Sequence, residues 1–168
     1  STGQASCLDA DVGYYVPSST AISQTACAAG TYQPSTGQTS CLDADAGYYV
    51  ASTGSASQTA CAAGTYQPNT GQTSCTDADT GYYVASTGSA SQTACTAGTY
   101  QPSTGQSSCI DADAGYYVPW SAATSQTACT AGTYQASTGQ TSCLDADAGY
   151  YVPSSAATSQ AACAAGTY

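Results

Sequence analysis

Apolar side chains occur along this chain in short groups around tyrosine, separated by polar stretches rich in Ser, Thr and Gly. One representative stretch, from Cys41 to Ser74, reads CLDADAGYYVASTGSASQTACAAGTYQPNTGQTS. No apolar stripe recurs at the helical spacing, and Gly, Pro and Thr are dense, so the pattern argues against helices. Each tyrosine group predicts a short strand, followed by a Ser-Thr-Gly turn and a second short polar strand. Glycine at the turn supplies the positive φ that tight hairpins need.

The whole chain is a tandem repeat with a period of 34 residues and no insertions. A finer period of 17 residues lies inside it, because Gly64-Thr65-Tyr66 aligns with Gly81-Tyr82-Tyr83. We call the 17-residue segment that begins three residues before Gly-Thr-Tyr, as at Cys61, the GTY half, and the segment that begins three residues before Gly-Tyr-Tyr, as at Ala78, the GYY half. The predicted organisation is a partial repeat at 1–6, full repeats at 7–40, 41–74, 75–108 and 109–142, and a partial fifth repeat at 143–168.

Composition leaves little material for a conventional core. The chain has no Phe, no Met and a single Trp, and its larger aliphatic residues besides Val are few. Ten cysteines in such a chain indicate disulfides and an oxidising, extracellular location. Without His or a Cys-x-x-Cys pair, a zinc site is not expected. The predicted fold class is small, disulfide-rich and all-β, a linear array of hairpin-like halves that forms an elongated rod.

The charge of the chain is entirely negative, with ten Asp, no Lys, no Arg and no His. This balance excludes nucleic acid as a partner and argues against anionic membrane surfaces. No apolar run approaches the roughly 20 residues that cross a bilayer. Catalytic sets that need His and phosphate loops that need Lys are both ruled out, so we do not expect an enzyme.

The motif C-x-x-G-T-Y-x-x-S-T-G-Q-T-S-C, at Cys27 to Cys41, resembles the tandem cysteine-rich repeats of the ephrin-receptor-like and tumour-necrosis-factor-receptor-like class. The cysteine pattern is thinned relative to that class, since Ala44 and Gln58 stand where the GYY half would carry its own pair. The resemblance implies an elongated extracellular architecture. It also implies one disulfide across each GTY half: Cys27–Cys41, Cys61–Cys75, Cys95–Cys109 and Cys129–Cys143.

A rival register, which pairs Cys7 with Cys27, Cys41 with Cys61 and so on, uses every cysteine, and sequence alone does not decide between the two. In the first register, Cys7 and Cys163 are left for bonds to further repeats or to another subunit. We therefore expect a longer array or a protomer that associates with itself head to tail.

Paired aspartates recur as Asp-Ala-Asp in every repeat. Residues two apart in a strand share a face, and paired carboxylates are ligands that Ca²⁺ accepts. Each loop offers only two acidic ligands, so we expect mainly a solvated acidic stripe, with calcium as the alternative. The pairs that would hold calcium are Asp43/Asp45, Asp77/Asp79 and Asp111/Asp113, with Asp9/Asp11 and Asp145/Asp147 as further copies.

Serine and threonine cluster in the turns, often beside proline, a composition typical of O-glycosylated extracellular stalks. Asn69 is followed by Thr70-Gly71, so the chain holds no N-glycosylation sequon. The alternative is plain turn and strand polarity. The candidate O-glycan acceptors are Ser35, Thr36, Thr39, Ser40, Thr53, Thr70, Thr87, Thr104 and Thr138.

Tyrosine also recurs, as at Tyr48, Tyr49 and Tyr66, and predicts packing against disulfides and neighbouring halves, with a partner-binding stripe as the alternative. Trp120, where other copies carry Ser, is interpreted as an incidental surface variant.

The leading functional hypothesis is a structural protein of an extracellular fibril or cell-surface stalk, whose partners are further copies of itself and attached glycans. A spacer in a receptor or adhesin ectodomain is the alternative, and a calcium-binding or ice-binding rod is a weaker one.

Overall fold

The computed structural model describes residues 7–167, so the partial repeat predicted at 1–6 and the last residue, Tyr168, lie outside it. Within residues 7–167 the chain forms eighteen strands of two residues each and no helix. The strands are β1 Tyr14–Tyr15, β2 Thr25–Ala26, β3 Thr31–Tyr32, β4 Leu42–Asp43, β5 Tyr48–Tyr49, β6 Thr59–Ala60, β7 Thr65–Tyr66, β8 Thr76–Asp77, β9 Tyr82–Tyr83, β10 Thr93–Ala94, β11 Thr99–Tyr100, β12 Ile110–Asp111, β13 Tyr116–Tyr117, β14 Thr127–Ala128, β15 Thr133–Tyr134, β16 Leu144–Asp145, β17 Tyr150–Tyr151 and β18 Ala161–Ala162.

The strands pair in antiparallel two-stranded hairpins, and each hairpin belongs to one half-repeat. The chain divides into two compact units, the first holding residues 7–76 and 86–91 and the second holding 77–85 and 92–167 of the described range. In the first unit β1 pairs with β2, β3 with β4 and β5 with β6. In the second unit five hairpins follow in the same way, from β9–β10 to β17–β18. The predicted small, disulfide-rich, all-β repeat array is confirmed.

Successive halves are joined by backbone hydrogen bonds that repeat from one half to the next. The amide of Gly30 donates to the carbonyl of Val50 at 2.8 Å, and the amide of Gly47 donates to Gln67 at 2.7 Å. The amide of Gly54 in turn donates a hydrogen bond to the carbonyl of Cys27, in the preceding half, at 2.8 Å. Residues 17 positions apart therefore make equivalent bonds, and the second unit shows the same set. A two-stranded hairpin is marginal alone in water, so these junctions supply much of the order.

The buried side chains, apart from that of Ala123, occupy two equivalent positions in each half. The first position holds Cys in the GTY half and Ala in the GYY half, and the second holds Gln and Val respectively. The buried members are Cys27, Cys61, Cys95 and Cys129; Ala10, Ala44, Ala78 and Ala112; Gln33, Gln67, Gln101 and Gln135; and Val50, Val84, Val118 and Val152. Among the described residues, the core therefore consists of small apolar side chains and glutamines rather than a cluster of large apolar side chains.

The buried glutamines have all their polar atoms satisfied within their own half. The side-chain amide of Gln67 donates to the carbonyl of Ser74 at 2.9 Å, and its oxygen accepts from the amide of Asn69 at 3.1 Å. A buried amide left without partners would cost roughly 1–3 kcal/mol, and these two bonds remove that cost. In the GYY half the equivalent residue is apolar, as at Val50.

Gly47 marks the closest approach between two halves. Its φ is 86°, a conformation that L side chains rarely adopt. A Cβ atom placed on it would lie 2.2 Å from the carbonyl oxygen of Gly88, well inside van der Waals contact. Glycine is therefore required here twice, by backbone conformation and by space.

We predict that Gly47→Ala destabilises the chain more than Gly149→Ala. Both positions share the strained φ, which costs alanine about 1–2 kcal/mol, but a Cβ on Gly149 meets no described atom within 4 Å. The clash at Gly47 adds roughly 1–3 kcal/mol, typical of overpacking. Urea unfolding of both variants measures the difference, and equal losses would contradict the close approach.

Two alanines adopt the left-handed conformation that glycine occupies in the equivalent turns. Ala122 has φ 56° and Ala156 has φ 55°, where earlier repeats carry Gly54 and Gly88. Because an L residue pays for this conformation, these turns hold avoidable strain.

We predict that Ala122→Gly stabilises the chain by about 0.5–1 kcal/mol, since relief of strain exceeds the entropy that glycine adds to the unfolded chain. Ala56→Gly serves as the control, because Ala56 is exposed and lies outside the positive-φ positions. The control should lose stability, so opposite signs are expected in thermal unfolding. A loss of stability in both variants would show that Ala122 is not strained.

Candidate functional site

Each GTY half is closed by a disulfide between residues 14 apart in sequence. The bonds are Cys27–Cys41, Cys61–Cys75, Cys95–Cys109 and Cys129–Cys143, the pairs that the family resemblance implies, and the rival register does not occur. The first cysteine of each pair is buried and the second is half-buried. Cys7 and Cys163 carry free thiols, the former exposed and the latter half-buried.

Each GYY half is closed by a glutamine and an aspartate instead. Gln58 stands where a cysteine would be, and its side-chain oxygen accepts from the backbone amide of Asp45 at 2.7 Å. Its side-chain amide donates to the Asp45 carboxylate at 2.6 Å. We call this two-bond arrangement the Gln–Asp clamp. It recurs as Asp11–Gln24, Asp45–Gln58, Asp79–Gln92, Asp113–Gln126 and Asp147–Gln160.

The sequence pattern indicates that Gln58 replaces a cysteine but does not directly indicate its bond to Asp45. The available signal was its constant spacing, because a glutamine follows the second aspartate of every pair by 13 residues. Such a fixed polar pair across a turn indicates a side-chain bond rather than general solubility.

The clamp gives the two aspartates of each pair different surroundings. The carboxylate of Asp45 accepts a hydrogen bond from Gln58. The Oδ1 atom of Asp43 instead lies next to Gly71 in the next turn, 3.6 Å from where a Cβ atom on that glycine would be. Both side chains are exposed, and no group of three or more acidic, Cys or His residues gathers into a metal-binding set among the described residues. The two carboxylates of a pair thus have different surroundings, as do those of Asp77 and Asp79 and those of Asp111 and Asp113. Calcium at these pairs stays a prediction.

The candidate O-glycan acceptors are all exposed: Ser35, Thr36, Thr39, Ser40, Thr53, Thr70, Thr87, Thr104 and Thr138. Some other hydroxyls are engaged in hydrogen bonds. Thr65 donates to the carbonyl of Ala62 at 2.9 Å, and Ser55 donates to the carbonyl of Ser52 at 2.7 Å. Within the described residues, the turn threonines such as Thr53 and Thr70 make no such hydrogen bond from the hydroxyl. Their oxygens are thus available to solvent.

The tyrosines of successive halves are mostly half-buried, and they line shallow surface grooves beside the disulfides. One groove of about 460 Å³ lies between Tyr49, Thr65 and Cys75, and an equivalent one of about 270 Å³ lies between Tyr83, Thr99 and Cys109. The grooves hold hydroxyls but no charged side chain. Trp120 is 68% exposed and contributes to neither groove.

We predict that Gln58→Ala destabilises the chain by about 1 kcal/mol, because two hydrogen bonds, one of them to a carboxylate, are lost at a partly exposed site. Gln72→Ala is the matched control, since that amide bonds only the carbonyl of Thr70 two residues away. Thermal unfolding compares the two variants. If Gln72→Ala cost as much as Gln58→Ala, the clamp would not be the source of the stability.

Residues 47–95 match the family model of tyrosine-protein kinase ephrin type A/B receptor-like sequences, and no curated protein gives a significant match to the chain. The matched segment contains the Cys61–Cys75 disulfide and the Asp79–Gln92 clamp, and its pattern continues at the same 34-residue period on both sides. Within the described part of the chain, no helix has the length and apolarity to cross a membrane. The match and the four disulfides point to an extracellular, oxidising location and a receptor-type module. Over residues 47–95 the chain is thus similar to ephrin-receptor-like cysteine-rich repeats.

Proposed function

We propose that the chain is a non-enzymatic structural segment of an extracellular fibre or surface stalk. The observation that supports this role is the repetition of the same backbone bonds at successive junctions, such as Gly30 to Val50 and then Gly47 to Gln67. Each half makes the same backbone hydrogen bonds to the next half as it makes to the previous one. An array of any length can therefore be built by adding halves.

A mechanical role also agrees with the composition of the chain. No His, Lys, Arg or Glu is available as an acid, base or cationic group, and each Asp-Ala-Asp pair divides its carboxylates between two surroundings. The carboxylates would act as a solvated acidic stripe that keeps neighbouring chains apart, with calcium binding as the lesser proposal. The only other chain partners that we propose are further copies of the same repeat, which Cys7 or Cys163 would reach through disulfides.

The turn threonines are the proposed attachment points for O-linked glycans. Thr53, Thr70 and Thr87 occupy equivalent exposed positions one half apart, and their hydroxyls have no described hydrogen-bond partner. A column of sugars there would cover polar backbone that the thin core leaves near solvent.

A spacer in a receptor or adhesin ectodomain is the second candidate, and the family match of residues 47–95 favours it. The two roles differ in their surroundings: a spacer joins a non-repetitive domain, whereas a fibre continues as repeats or as further copies of the chain.

We predict that native material, reduced and weighed intact, has a mass well above the 16.5 kDa of the bare chain, with increments of single sugars. Mass-spectrometric mapping of the intact glycopeptides should place the sugars on the turn threonines rather than on Thr65, whose hydroxyl is engaged. A single species at the bare mass would overturn the glycan proposal.

Electron microscopy of the same native material separates the two roles. Filaments labelled along their length by an antibody to the repeat would support a fibre. Separate particles that carry the repeat beside a non-repetitive domain would refute the fibre and support the ectodomain spacer.

A further inference from the structure

The two kinds of half close the same loop by different chemistry. A GTY half is closed by a covalent bond, as at Cys61–Cys75, and the preceding GYY half is closed by the clamp between Asp45 and Gln58. The disulfide spans 14 residues and the clamp spans 13. The two closures share one end, because Gln58 is equivalent to Cys75, and differ by one residue at the other, because Asp45 is equivalent to Ala62.

The backbone does not distinguish the two closures. The amide of Cys27 donates to the carbonyl of Gly13 at 2.8 Å, and the equivalent Ala44 donates to Gly30 at 2.9 Å. The carbonyls of the same two residues accept from Gly54 and Gly71, both at 2.8 Å. A half without a disulfide therefore keeps every junction bond that a half with one makes.

We propose that the array alternates halves whose closure is cleaved by thiol reductants with halves whose closure is not, so that reduction changes how far the chain extends under force but not its fold. Clamped halves already show that the hairpin persists without a disulfide. This property belongs to the chain itself and does not depend on the fibre or the receptor role.

The accessible end of each disulfide is its second cysteine, since Cys75 is half-buried beside a surface groove and Cys61 is fully buried. A dithiol reductant attacks the Sγ atom of Cys75 as a thiolate, forming a mixed disulfide and releasing Cys61 as a thiolate. Its second thiol then displaces Cys75 and closes the reductant into its own disulfide. Two electrons pass from the reductant to the cystine, and two cysteine thiols remain.

The mechanical consequence follows from chain length. While the disulfide is intact, a pulled chain cannot extend the 14 residues between Cys61 and Cys75, which withholds roughly 45 Å of contour length. The clamp is noncovalent, so a GYY half under force extends to its full length once its hydrogen bonds break.

The first test compares the complete chain before and after treatment with dithiothreitol, with Cys7 and Cys163 alkylated beforehand to prevent exchange. We expect unchanged circular dichroism at zero force, and a fully stretched length that rises about 1.4-fold on reduction in single-molecule pulling. Loss of the folded spectrum on reduction, or no gain in length, would overturn the proposal.

The second test moves a clamp into a GTY half. The triple variant Cys61→Ala, Ala62→Asp, Cys75→Gln places the clamp residues at the positions equivalent to Ala44, Asp45 and Gln58. We expect it to melt above the double variant Cys61→Ala, Cys75→Gln, and to gain only about three-quarters as much length on reduction as the parent, because one of the four disulfides is gone. Equal melting of the triple and double variants would overturn the equivalence of the closures.

The reverse exchange keeps the proposal testable if the triple variant fails to fold. Ala44→Cys with Gln58→Cys should form an additional disulfide on air oxidation, seen as a mass lower by two hydrogens and as protection from thiol labelling. The matched control, Ala44→Cys with Gln24→Cys, should keep both thiols, because Gln24 closes a different GYY half by bonding to Asp11. Free thiols in the first variant would refute the equivalence.

Discussion

Backbone contact between consecutive halves is the constraint on which the rest of this structure depends. At Gly47 the chain passes so near to the carbonyl of Gly88 that no side chain fits, and the amide of Gly47 bonds to the carbonyl of Gln67. Main-chain groups thus provide the contact that apolar side chains provide in an ordinary core. This explains how a chain without Phe or Met orders hairpins whose strands are only two residues long.

Small side chains and covalent or polar closures follow from that constraint. Because the halves approach closely, the interior holds small apolar residues such as Cys27, Ala44 and Val50, together with hydrogen-bonded glutamines. Burial of so little apolar area stabilises weakly, so each loop is also held by a disulfide or by a clamp. The disulfide is the stronger of the two because it restricts the unfolded chain as well, by roughly 3 kcal/mol for a loop of this length.

Much of this architecture could be predicted from the sequence, because periodicity and glycine placement are visible without coordinates. The repeat, the hairpin in each half and the lack of helices follow from the Tyr groups and the Ser-Thr-Gly turns. The pairing of Cys27 with Cys41 was implied by family resemblance, since spacing alone left a second register open. The role of glutamine could not be predicted from the sequence. The clamp at Gln58 and the buried side-chain amide of Gln67 depend on which parts of the hairpin come together in space. The left-handed conformation of Ala122 was also hidden, because alanine gives no sign of a turn that requires positive φ.

Because the junction bonds come from the main chain, neither neighbour needs to recognise the side chains of the other beyond the required glycine. The amide of Gly30 donates to a valine carbonyl and the amide of Gly47 donates to a glutamine carbonyl, and the two donor–acceptor distances are nearly the same. A gene for such a chain can gain or lose copies by recombination, in steps of 17 or 34 residues, without creating a mismatched joint. The number of halves can then change without damage to the fold. Related chains should therefore differ in length far more readily than in the structure of any single hairpin.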